Sequence, residues 1–175
     1  MIRKMKMRHN WFWCMAVMGV LQGGEVLWND DFSHYSSPEE MSRVWDPAGE
    51  HRLRLDDRGL RLFSNGQAAV RRLQGAWLPG RDIEMEFSVI LDNDRTEARI
   101  LFSHGKLDWM NYQGGVLLKA GMLPMYCDSG VWKQAKLKPV ATGTEYVVRC
   151  VLHPSLTGAS SYDIAVNGVE IGRKL

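Results

Sequence analysis

The chain has 175 residues, enough for one domain with a single sizeable core. Aromatic residues make up 10% and charged residues 24%, a globular rather than a disordered composition. The formal charge is +2, but removing Arg3, Lys4, Lys6 and Arg8 turns it into −2, which leaves no basic stripe to hold nucleic acid.

Those four cations precede an apolar run, Trp11-Phe12-Trp13-Cys14-Met15-Ala16-Val17-Met18-Gly19-Val20-Leu21, and then Gln22-Gly23-Gly24. A basic start followed by roughly ten apolar residues is the pattern of a secretory signal peptide, and is too short to span a bilayer of ~30 Å. Residues 1–24 are therefore expected to be a signal peptide or an N-terminal anchor. Residues 25–175 are expected to be a domain that is secreted, periplasmic or on the cell surface, with no membrane span. The cleavage site is imperfect, because Gly23 or Gly24 at −1 leaves Leu21 or Gln22 at −3, where a small residue is wanted. Trp11-Phe12-Trp13 before Cys14 is not a lipobox, and a misassigned start codon is a further alternative.

Residues 25–32 read as a first strand, followed by a polar stretch through Pro38. Residues 41–45 read as a helical turn, since Ser37 and Glu40 have capping-box spacing. Asp46-Pro47-Ala48-Gly49 reads as a turn. Leu53 and Leu55 alternate with Arg52 and Arg54, Asp56-Asp57-Arg58-Gly59 reverses the chain, and Leu60 and Leu62 return. A strand over 68–73 is closed by Leu78-Pro79-Gly80. The longest strand is expected over 82–91, with Ile83, Met85, Phe87, Val89 and Leu91 on one face and Asp82, Glu84, Glu86 and Ser88 on the other. Asp92-Asn93-Asp94 turns into a strand carrying Ala98, Ile100 and Phe102. A loop over 105–114 leads to strands at 116–119 and 132–137. Residues 145–152 are β-branched and alternating, and after a polar break Tyr162, Ile164 and Val166 share one face. Asn167-Gly168 then gives the strongest short-range hairpin signal, because both centres of a type I′ turn need φ > 0. The pattern is all-β: a two-sheet antiparallel β-sandwich or jelly roll of about a dozen strands, with under ~10% helix.

Beyond the leader only Cys127 and Cys150 remain, and their spacing does not decide between one disulfide and two small buried residues. With no CxxC and no Cys/His cluster, no metal site is expected.

The order of pieces resembles the concanavalin A-like lectin/glucanase jelly rolls, in particular the laminin G-like domains and related domains of bacterial secreted carbohydrate-processing proteins. The residues that carry the likeness are Asp30-Asp31-Phe32, Gly59-Leu60-Arg61-Leu62, the acidic-apolar strand from Asp82, Ala98-Arg99-Ile100-Leu101-Phe102, Asn111-Tyr112 and Tyr162-Asp163-Ile164-Ala165-Val166-Asn167-Gly168. The likeness implies two curved sheets with glycan on the concave face or its rim. In such folds a strand near the C-terminus commonly pairs beside the first. Here Arg173-Lys174-Leu175 follows the hairpin at once, so the layout reads as lacking a final strand or as closing differently.

Three constellations carry chemistry. Asp82, Glu84 and Glu86 share a strand face with neighbours ~6.5–7 Å apart, and retaining glycosidases hold two carboxyls ~5–5.5 Å apart. The laminarinase-like β-glucanases of the resembled superfamily carry Glu-x-Asp-x-Glu, which would make Asp82 the nucleophile, Glu84 the middle residue and Glu86 the acid/base. The preceding Pro79-Gly80-Arg81 departs from that pattern, and a solvated strand face explains the same residues. Trp109, Asn111 and Tyr112, with Trp132, offer aromatic faces beside polar groups, the mixture that sugar binding needs, with Glu84 and Glu86 as further polar partners. The competing reading is that Trp109 and Tyr112 anchor their loop. Asp92-Asn93-Asp94 and Asn29-Asp30-Asp31 have oxygens suited to calcium, but Asx residues are also ordinary turn chemistry, and no cofactor is otherwise expected. The favoured reading is a secreted, non-catalytic carbohydrate-binding or adhesion-type module whose partner is a polysaccharide or glycan. The alternatives are a glycoside hydrolase acting on a β-glucan-like polysaccharide and a structural sandwich domain of an envelope assembly.

Overall fold

The computed structural model describes residues 11–13, 18–22, 25–30, 34–41, 43, 46–48, 53–56, 59–63, 68–70, 81–94, 97–102, 114–155, 160–173 and 175. Strands dominate: β1 (Trp11–Trp13), β2 (Met18–Gln22), β3 (Glu25–Asp30), then the helical turn α1 (Pro38–Met41), β4 (Asp46–Ala48), β5 (Leu53–Asp56), β6 (Gly59–Phe63) and β7 (Ala68–Val70). The second half adds β8 (Ile83–Ile90), β9 (Glu97–Phe102), β10 (Gly114–Lys119), β11 (Met125–Asp128), β12 (Val131–Gln134), β13 (Glu145–His153), β14 (Ser161–Val166) and β15 (Val169–Gly172).

The larger sheet runs β15-β14-β13-β8-β1-β6-β5, with β2 also pairing β8 and β3 lying beyond β2. A four-stranded sheet runs β12-β11-β10-β9, and β4 and β7 form a small pair. The paired strands are antiparallel, as the hairpin signals require. The chain is thus an all-β sandwich. Its core is filled from both sheets by Val89, Leu91, Val116, Leu118, Val148, Cys150, Tyr162, Ile164 and Val166. Burying one such aliphatic side chain contributes ~1.5–3 kcal/mol, so alternating strands that present them inward are bound to pair face to face.

The longest expected strand forms as β8, with Ile83, Phe87 and Val89 buried and Glu86 exposed. At the expected hairpin Asn167 has φ 49° and Gly168 φ 75°, the left-handed pair of a type I′ turn. Asp56 pairs with Gly59 across the second hairpin. Three expectations are corrected. The helical turn occupies Pro38–Met41, not residues 41–45, because Ser37 is the N-cap: its Oγ accepts from Glu40 N at 3.2 Å, and Pro38 fills the first helical position. Glu40 reaches back to Ser36, whose N and Oγ donate to Oε2 at 2.8 and 2.7 Å. The segment read as a turn from Asp46 begins with β4, drawn into extension by pairing with β7. Finally, β11 was not expected; it gains its conformation from partners on both sides.

Residues 11–13 and 18–22, read as part of a leader, lie antiparallel along the side of β8 away from β13. Trp13 is opposite Ile90 and Gln22 opposite Ile83. The first strand beyond the leader, β3, pairs with β2. At the other end of the chain, Leu175 N donates to Tyr162 O at 3.0 Å and its side chain packs on the core. Cys127 and Cys150 are both buried and both free thiols, so the disulfide is not formed. Burial raises the pKa of each.

Candidate functional site

Two outer faces carry the residues singled out by sequence. On β8 the odd positions point into the sandwich, which puts Glu84 and Glu86 outward, with Asp82 immediately before the strand. The register sets Glu86 opposite Arg149 and Glu84 opposite Val151 on β13, and Val151 opposite Asp163 on β14. Arg149 reaches diagonally to Glu84 as a two-pronged pair, Nε to Oε1 and Nη2 to Oε2 at 2.7 Å each. Those hydrogen bonds hold the Glu84 carboxyl below the usual carboxylate range and push the guanidinium up. Farther along, His153 Nδ1 lies 2.9 Å from Asp82 Oδ1 and Nε2 lies 3.1 Å from Asp163 Oδ2.

The expected carboxylate row is therefore present on one face, but Arg149 pairs with Glu84 and His153 with Asp82. A glycosidase acid keeps its proton near neutral pH through burial or adjacent negative charge. Glu86, cast as that acid, is exposed, as is Asp82, while Glu84, cast as the middle residue, is held by Arg149. Chemically, the face is a net-acidic set of groups in which Arg149 holds Glu84 and His153 lies between Asp82 and Asp163. Arg149, His153 and Asp163 escaped the sequence reading. The alternation of β13 marks 149 and 153 as outward, yet only the strand register brings them to the carboxylates.

Trp132 stands elsewhere. Tyr126 is opposite the core residue Val116, so Cys127 and its partner Trp132 belong to the other face of the four-stranded sheet, away from the sandwich interior. Trp132 is half-buried. The structure thus separates Trp132 from Glu84 and Glu86, which lie on the outer face of the opposite sheet. Trp109, Asn111 and Tyr112 lie outside the described residues. The segment that contains them joins Phe102 to Gly114, which are opposite each other. Antiparallel order puts that junction and the β11–β12 turn at the same end of the sheet, and Trp132 is the second residue after that turn.

Of the calcium candidates, Asp92 and Asp94 are exposed, Asp31 lies outside the described residues, and the side chains of Asn29 and Asp30 do also. Among the described residues, no group of three or more His, Cys, Asp or Glu side chains is placed to hold a metal ion. No described helix is long and apolar enough to cross a membrane. No protein-family model, curated protein or solved structure matches the chain.

Proposed function

We propose that the chain is an exported, non-catalytic carbohydrate-binding module. Its proposed site is Trp132 together with Trp109, Asn111 and Tyr112, which follow Phe102 and precede Gly114 in the chain. The observation that supports this reading is the strand order, which puts Trp132 at the end of the sheet that holds Phe102 and Gly114. Aromatic faces stack on the apolar C–H faces of sugars while amides satisfy hydroxyls, and Trp109, Asn111, Tyr112 and Trp132 supply that mixture of residue types. The concanavalin A-like layout of the sequence agrees with such a role. Glu84 and Glu86 are left out of the site, since they stand on the other sheet. The exposure of Glu86, the residue cast as acid/base, argues against the glycosidase alternative.

A glycan array with a reducing-sugar assay on β-glucans tests this. Trp109→Ala and Trp132→Ala are each expected to weaken binding about tenfold. Glu86→Gln is expected to leave binding intact, and no turnover is expected. Turnover abolished by Glu86→Gln would overturn the module in favour of the enzyme, and absence of both binding and turnover would favour a structural domain.

A further inference from the structure

At one end of the larger sheet three strands meet on a single imidazole. His153, the last residue of β13, faces Asp82 before β8 through Nδ1 and Asp163 of β14 through Nε2. Its side chain is 28% exposed, and Nε2 is buried without an aligned hydrogen bond, although the Asp163 carboxylate is 3.1 Å away. Neutral imidazole has one N–H and one lone pair, so between two carboxylates it satisfies one and turns its lone pair on the other. Only the doubly protonated ring suits both sides.

Among the described residues, Asp82 and Asp163 are the charged groups that act on His153. Arg149, on the same strand, is committed to Glu84. Ser161 is opposite His153 on β14, Pro154 and Ser155 follow it, and β2 brings Gln22 opposite Ile83; none is charged. Arg81, exposed, adjoins Asp82.

We propose that Asp82, His153 and Asp163 form a proton-operated pin. It fastens the entry of β8 and the strand β14 to the end of β13 when the ring carries both hydrogens, and frees the Asp82 arm when it carries one. Asp82 is the arm that opens because its side chain is 60% exposed and turns into water at little cost. Asp163 is 25% exposed and faces the buried Nε2. A lone pair turned on that carboxylate cannot be relieved by water, so the neutral ring would carry its hydrogen on this side and its lone pair toward Asp82. Burial, the largest single influence, lowers the His153 pKa, but the hydrogen bonds and charges of Asp82 and Asp163 together outweigh it and raise the pKa. A group raised on folding stabilises fully below its unfolded pKa, ~6.5 for His, and loses that contribution as pH rises through the folded value. The pin is closed in mild acid and opens above it.

The test follows the imidazole nitrogens by NMR in the full chain from acid to alkaline pH, alongside amide hydrogen exchange corrected for its intrinsic pH dependence. Both nitrogens are expected to be protonated in mild acid, with a midpoint above the ordinary ~6.5, and Asp82→Asn, an exposed change, is expected to lower it. Exchange at Ile83 and Glu84 is expected to rise about fivefold as the ring loses its proton, and to be fast at every pH in His153→Gln. A midpoint at or below that of free histidine would overturn the pin. So would an unchanged pH course of exchange in His153→Gln.

Discussion

Tyr162 joins the two sheets through one oxygen. Its hydroxyl donates to the Cys127 carbonyl of β11, while its ring occupies the space over Gly114, where an added Cβ would come 2.1 Å from Cζ. Burial pushes the phenol pKa up, so the hydroxyl remains a donor through the ordinary pH range. Tyr162→Phe leaves a buried carbonyl without its partner, and a loss of ~1–3 kcal/mol is expected. Gly114→Ala drives the ring from its seat and is expected to cost ~1–3 kcal/mol as well; urea midpoints at unchanged m-value measure both. Arg149→Ala is expected to cost no more than ~1 kcal/mol, since the Arg149 and Glu84 side chains are 51% and 31% exposed. Because Arg149 lowers the Glu84 pKa, that contribution is present above the ordinary carboxylate value of ~4.3 and is lost as pH falls through the folded one. Wild type and Arg149→Ala should therefore converge in acid. Alternation along the chain was enough to turn Tyr162 inward and Glu84 outward. What each meets lies far off in sequence, and no local pattern encodes it.

The Asn167-Gly168 hairpin shows how much one element carries in its own residues. Both lie at positive φ, and Asn167 is also fastened to β13: its N donates to Val147 O and its Oδ1 accepts from Val147 N, each at 2.8 Å. Gly168→Ala places a Cβ in left-handed backbone, an expected cost of ~1 kcal/mol. Asn167→Ala gives up a residue that tolerates that conformation and also its side-chain acceptor, so ~1–2 kcal/mol is expected. Chemical denaturation ranks the two, and Gly168→Ala proving the costlier would contradict the tie to β13. Elements of this kind were legible because turn chemistry and period-2 alternation are local. The four residues of β11, between Pro124 and Ser129-Gly130, were not, since their extension comes from β10 and β12. The same holds for β4, whose Asp46-Pro47-Ala48 reads as a turn until β7 is beside it.

Across the whole molecule, the apolar segment of residues 11–22 is where composition and architecture diverge. A run of about ten apolar residues serves equally as a signal-peptide core or as strand buried in a sheet, and periodicity does not separate them. In the fold β1 and β2 occupy one side of β8, and among the described strands β3 joins the larger sheet through β2. The candidate site has a similar history: Trp132 was recognisable as a residue type, but its place at the end of the sheet that holds Phe102 and Gly114 follows only from the order β12-β11-β10-β9. A chain beginning at Glu25 is expected to have a lower urea midpoint than the chain from Met1. It is also expected to self-associate in sedimentation, because the freed side of β8 is a long edge of unpaired amides and carbonyls. Glycan binding should persist in that shorter chain wherever it stays folded, since the four strands of that sheet, β9 to β12, all lie beyond residue 24. A shorter chain that is monomeric and equally stable would show that β1 and β2 add nothing to the fold, and would leave the segment free to act as a leader alone.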